Sequence, residues 1–249
     1  IILKQKPKRP IVISGFPGLG MVGAIAAEFL IQHLATKKIG KVLLEDSPAL
    51  VAIHEGKLIE PFGIFYNSKY NVVVVHSIVV APGTEWKLAD ALMEVCRQLK
   101  AKELISLEGV GSPQDEQAGQ EEEAAPAQQA STFFYSNNPA KEKALTKTKA
   151  NAQLKRLNEG IIVGVTSALL IKADVLPVTC FFAETHTNMP DSNAAAELIK
   201  ALDAYLGLDV DYKPLLKLAA KFEDKLRTIL MKSKQTEQLR DKKVMSYVG

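Results

Sequence analysis

The sequence predicts an α/β fold, a mainly parallel sheet flanked by helices, followed by a C-terminal helical arm. Three observations carry this. Short apolar runs alternate with helical periodicity from Ile11 to Leu206. The run VVVVHSIVV, residues 72–80, is β-branched and almost unbroken, as a strand covered on both faces requires. After Lys213, the apolar residues Leu215, Leu218, Phe222, Leu226 and Ile229 recur at three- and four-residue steps, which is one face of a helix opened by Pro214.

Along the chain, residues 11–14 form a buried strand closed by Gly15, and residues 21–34 suit a helix. The KVLLE run, 41–45, predicts a second short strand. Gly56, Pro61 and Gly63 cut residues 48–64 into hairpin pieces. Thr84 is placed to cap a helix over 85–100, whose stripe is Leu88, Leu92, Val95 and Leu99. A strand at 104–107 follows, closed by Gly109 and Gly111. Residues 112–130 carry five acids and no base in a low-complexity setting, the signature of an exposed insertion. A returning strand is expected at 132–135 and a basic helix at 141–157. Strands at 161–165 and 175–183 are expected to flank a short helix at 167–171. Asp191 and Ser192 open a helix that ends at Gly207. The domain expectation is therefore an α/β body over 1–208 and an arm with its tail over 209–249.

Composition narrows the function classes. The chain has 249 residues, 47% of them apolar, enough to bury a full core. A net charge of +3 argues against a strong non-specific nucleic-acid binder. Cys96 and Cys180 lie in apolar contexts, far apart and without partners at metal-ligand spacing, as buried reduced thiols do. No apolar run reaches the roughly 20 residues that span a bilayer. The opening IILKQKPKRP lacks the apolar stretch of a secretory signal. The expectation is a cytoplasmic protein with neither membrane nor nucleic acid among its partners.

The sharpest local motif is GFPGLGMVG, residues 15–23. Gly18, Gly20 and Gly23 satisfy G-x-G-x-x-G between a strand and a helix, beside Gly15, and Glu45 and Asp46 close the next strand. That is the context of a dinucleotide fingerprint, in which glycines admit the pyrophosphate and an acid takes the ribose. The alternative is that the glycines only permit a tight turn with close packing, and Pro17 removes a backbone donor from it. His33, His54, His76 and His186 show no metal spacing. His186 with Glu184, Thr185 and Asp191 forms a polar group after a strand end, either a ligand crevice or a loop that caps the next helix. No G-x-S-x-G and no P-loop occurs, so neither a serine hydrolase nor ATP is implied.

Several segments taken together resemble the proteasome assembly chaperone family, in particular its archaeal homologues. They are ISGFPGLGMVGAIAAEFLI, LLEDSPALVAIHEGKLIEPFGIFY, VVVVHSIVVAPGTEWKLADALMEVC, ISLEGVGSP, and the stretch from GIIVGVTSALL to AAAELIKAL. The likeness covers residues 10–208, interrupted by the acidic insertion. It implies a fold similar to nucleoside phosphorylases without a catalytic role or cofactor. It implies a homo-oligomer, tetramer or pentamer, that binds α-subunits of the proteasome core particle as chaperone or activator. The resemblance also implies a partner-binding tail, here Val244, Met245, Tyr247, Val248 and Gly249. The family pattern has its tyrosine second from the end after an apolar residue, whereas Tyr247 stands third and follows Ser246. The rival reading from the residues alone is a nucleotide- or nucleoside-binding enzyme built on the glycine turn.

Overall fold

A β-branched run covered on both faces needs helices above and below it, and the computed structural model has this layering. It describes residues 1–44, 51–54, 57–59, 61–77, 80–111, 130–147, 154–174, 176–185 and 190–216. In chain order the elements are β1 (Ile2–Leu3), β2 (Ile11–Gly15), α1 (Val22–His33), β3 (Lys37–Lys41), β4 (Ala52–His54), β5 (Lys57–Ile59), β6 (Phe62–Asn67) and β7 (Val72–Ser77). Then come α2 (Glu85–Leu99), β8 (Glu103–Gly111), β9 (Thr132–Ser136), α3 (Pro139–Lys147), β10 (Leu154–Arg156), α4 (Val165–Lys172), β11 (Val178–Thr185) and α5 (Ser192–Leu206).

Among the described residues, nine strands form one sheet in the order β1-β3-β6-β7-β2-β8-β11-β9-β10, and β4 and β5 pair apart from it. The central block β7-β2-β8-β11 is parallel. On its flanks, β6 runs antiparallel to β7, β3 to β6, and β9 to β11. The sheet is therefore mixed, which corrects the mainly parallel expectation. The cause is connection length. The turn at 68–71 between β6 and β7 allows only an antiparallel return, while α2 provides a crossover long enough for parallel pairing.

The strands alternate their side chains between two cores. Ile13, Ile105 and Phe181 pack toward α1 and α5, with Ile25, Leu30, Leu198 and Leu202. Val12, Leu104 and Phe182 pack toward α2 and α4, with Leu88, Leu92 and Leu169. Burying each such side chain contributes about 1.5–3 kcal/mol. All six residues of β7 are buried, as its unbroken apolar character requires. The α5 boundaries follow local chemistry. Asp191 Oδ1 accepts from the Ala194 N–H at 2.9 Å, and Gly207 ends the helix at φ 65°.

Four local expectations are corrected. The strand after α1 is Lys37–Lys41, not 41–45, because pairing with both β1 and β6 outweighs the more apolar KVLLE run. The basic helix ends at Lys147, and Leu154–Arg156 instead pairs parallel with β9. Residues 161–164 form no strand. Both edges of β11 are already taken by β8 and β9, and Ile161 and Val163 are 92% and 74% exposed. Thr84 precedes α2, but its hydroxyl donates to the Ala81 carbonyl at 2.6 Å and makes no cap bond. Residues 112–129 of the acidic insertion and 217–249 of the arm lie outside the described residues.

The parallel block defines two ends. The strand starts form what we term the foot of the sheet, and the strand ends form its head.

Candidate functional site

The glycine turn lies at the head, where β2 passes into α1. Brief helical geometry at Leu19–Met21 carries Gly20 at φ 59°, a left-handed conformation that favours glycine. The other glycines serve close approach. A Cβ on Gly23 would collide with the Leu107 carbonyl of β8, and one on Gly15 with the Gly23 carbonyl. Across the turn, a Cβ on Gly20 would sit 2.5 Å from Thr185 Oγ1, and one on Gly18 would collide with Glu108 Oε1. The glycine turn thus packs directly on the backbone of β8 and on side chains of β8 and β11, at the end of the sheet where an open α/β fold binds ligands.

Glu108 is the main occupant. It faces the α4 side of β8, and its Oε2 accepts from Thr166 Oγ1 at 2.9 Å. Thr166 Oγ1 lies 2.9 Å from Ser106 Oγ. Burial pushes the Glu108 carboxyl up to about 7, against the hydrogen bonds from Thr166 and the Gly109 backbone, which pull it down. On the other face of the turn, Thr185 Oγ1 donates to Asp191 Oδ2 at 2.9 Å, and the Asp191 N–H donates to the Gly20 carbonyl at 2.8 Å. Two carboxyl groups therefore flank the loop that a pyrophosphate would approach, and the charge that Glu108 gains above about pH 7 would oppose an anion there.

The structure brings Gly15, Gly18, Gly20 and Gly23 together, packed on protein. Glu45, Asp46 and His186 lie outside the described residues, as do Val244, Met245, Tyr247, Val248 and Gly249. Asp191 acts as a helix cap. The residue missed by sequence reasoning is Glu108; the signal for it was a lone charge in the apolar strand ISLEGVG.

Nucleophilic chemistry finds little here. Ser106 and Thr166 are 1% and 2% exposed. Burial pushes the Cys96 thiol up to about 12, and raises Cys180 as well, which disfavours a thiolate at either. His76 Nδ1 stands 3.7 Å from Glu28 Oε2 on the opposite face of the sheet from Glu108. Among the described residues no group of three or more His, Cys, Asp or Glu is arranged to hold a metal. None of the described helices is long and apolar enough to cross a membrane.

Comparison with known proteins gives a consistent picture. The PAC2 family model matches residues 12–230. An uncharacterized protein of Methanocaldococcus jannaschii is 26% identical over 224 residues, covering 89% of this chain and 86% of that one. The crystal structure of Pyrococcus furiosus PbaA, an archaeal homolog of proteasome-assembly chaperone, superposes with a TM-score of 0.76 at 28% identity. It covers 95% of this chain and 97% of PbaA. A Thermoplasma acidophilum protein of unknown function gives a TM-score of 0.80 at 20% identity, covering 96% of this chain and 93% of that one, a likeness of fold.

Proposed function

We propose that this chain, which belongs to the PAC2 family, is a proteasome assembly chaperone homologue or an activator of the proteasome that works by binding. The observation that carries this is the likeness to PbaA over nearly the whole of both chains. Packing at the head supports a binding role over a catalytic one. The fold that the family resemblance implies, similar to nucleoside phosphorylases, would place a ligand crevice there, and the close packing of Gly18 on Glu108 and of Gly20 on Thr185 argues against one at the glycine turn.

The partner in this reading is the α-ring of the core particle, and the contact is the tail at Val244, Met245, Tyr247, Val248 and Gly249. An aromatic anchor on an extended segment suits a pocket between subunits. Leu208, Val210 and Leu215 pack into the core, so the body extends past residue 208, and the proposed arm follows it. A homo-oligomer, tetramer or pentamer, would present several tails at once and gain avidity without a strong single contact.

The test is binding to purified core particle by the intact chain, by a chain cut after Ser246, and by Tyr247→Ala. Binding that weakens at least tenfold in both variants is the expected result. Equal binding by all three would move the contact to the body, and no binding by the intact chain would overturn the reading.

A further inference from the structure

The foot of the sheet carries a cluster of exposed cations. Lys8 and Arg9 precede β2, and Lys100 and Lys102 precede β8. Lys69 lies in the turn before β7, and Lys37 opens β3, which runs in the same sense as β7 through two antiparallel steps. Backbone bonds draw these segments together. The Arg9 N–H donates to the Leu99 carbonyl at 3.0 Å, and the Lys102 N–H to the Pro10 carbonyl at 2.9 Å. Asn71 Nδ2 donates to the carbonyls of Lys8 and Arg9, each at 3.2 Å. Arg9, Asn71 and Lys100 adopt φ of 50°, 52° and 50°, which non-glycine residues hold only where their surroundings enforce it.

Lys8, Arg9, Lys37, Lys100 and Lys102 make no ion pair with any described residue. The acids at this end are largely occupied or set apart. Glu103 is buried and bound by Lys141, Thr179 and Tyr205. Glu94 holds Arg97 at 2.6 Å. Asp209 lies near Lys69, and Asp211 beside the end of α1; Asp174 lines a groove together with Glu94 and with Asp90, which is paired to Lys172. That groove, of about 590 Å³, lies between α2 and the segment leading into β11, with Met93, Ala101, Leu176 and Pro177 in its lining beside Arg97 and Lys100.

Charge is sorted along the sequence as well. Residues 1–10 hold three lysines, one arginine and no acid, and residues 213–249 hold ten Lys or Arg against four Asp or Glu, although the whole chain is only +3. The chain also passes along the foot after α5. The Asp211 N–H donates to Nε2 of His33, the last residue of α1, at 3.3 Å, and Leu215 is buried nearby in the core shared with α1.

We propose that the foot is the partner-facing surface of this protein, that it docks on a carboxylate-rich polypeptide surface, and that Lys8, Arg9, Lys100 and Lys102 make the contact. The inference rests on the reading above that this chain works by binding a proteasome partner. Fixed, unpaired cations steer an acidic partner and set its orientation. The adjacent groove, with Met93, Ala101, Leu176 and Pro177 between charges of both signs, suits the mixed side chains of a polypeptide, whereas a phosphate backbone would be repelled by its acids.

The test compares the intact chain with the quadruple variant K8E/R9E/K100E/K102E, and with the four positions changed to Gln, after melting curves show each variant folded. Three probes are used: purified core particle, a poly-glutamate peptide and a DNA duplex. The intact chain is expected to bind core particle with affinity that falls steeply between about 0.05 and 0.2 M salt. The Glu variant should bind at least tenfold more weakly and lose most of that salt dependence, with the Gln variant between. Core-particle binding unchanged in both variants would overturn the inference while leaving the tail reading in place. If the intact chain ignores core particle, the proposed partner fails, and poly-glutamate decides the surface: capture lost in the Glu variant sustains it, and no capture overturns it. Capture of DNA without capture of poly-glutamate would overturn it in favour of a nucleic-acid face.

Discussion

The head and the foot of the same parallel strands are opposite in character. At the head, the glycine turn is packed on Leu107, Glu108 and Thr185, and the polar groups are bonded to one another. At the foot, several cations stand exposed without partners beside an apolar-lined groove. An α/β enzyme of this topology would show the reverse, an open crevice at the head and an inert foot. The contrast teaches that a fingerprint motif in the right place is not a ligand site until the space around it is known. Here the glycines are taken up by close packing, and the proposed docking surface lies at the other end.

The comparison can be broken first at Gly23. Gly23→Ala forces backbone against backbone at Leu107, so destabilisation of about 3 kcal/mol is expected in urea unfolding. A variant within about 0.5 kcal/mol of the parent would mean that the turn is not packed as described.

Glu108 sharpens the comparison through pH. Its carboxyl titrates at about 7 in the folded chain against an ordinary 4.5. Between those values the folded state keeps the proton that the unfolded chain releases, so folding stability falls as pH rises from 4.5 to about 7 and then levels off. The loss is at most about 3 kcal/mol. Glu108→Gln should flatten that window and melt higher than the parent at pH 8. An unchanged pH slope in the variant would show that the carboxyl does not sit buried against Thr166.

Smaller effects are expected elsewhere. Lys8→Glu with Lys102→Glu should shift stability by no more than about 0.5 kcal/mol, since both are exposed and unpaired. A larger loss by thermal melting would assign these cations a structural role. Smallest of all, NAD, NADP, ATP, nucleosides and phosphate should leave the melting temperature unmoved. A rise that grows with ligand concentration would reopen the head as a site.

Much of this was legible locally. The glycine turn, the β7 run and the α5 boundaries at Asp191 and Gly207 rest on signals within a few residues of each other. What the sequence hid depends on distant partners. KKIGK is a strand because β1 and β6 flank it, and Ile161 and Val163 are not because β11 has no free edge. Glu108 gains its environment from Thr166, 58 residues away. The foot was invisible for the same reason, because Lys8, Arg9, Lys100 and Lys102 meet only once β2 and β8 pair.

The most direct measurement is lysine cross-linking of the intact chain bound to purified core particle, read by mass spectrometry. The account predicts cross-links to the particle from Lys8, Lys100 and Lys102 at the foot, and few from Lys87 near the start of α2 at the head. Cross-links concentrated at Lys87, or none to the particle at all, would contradict it.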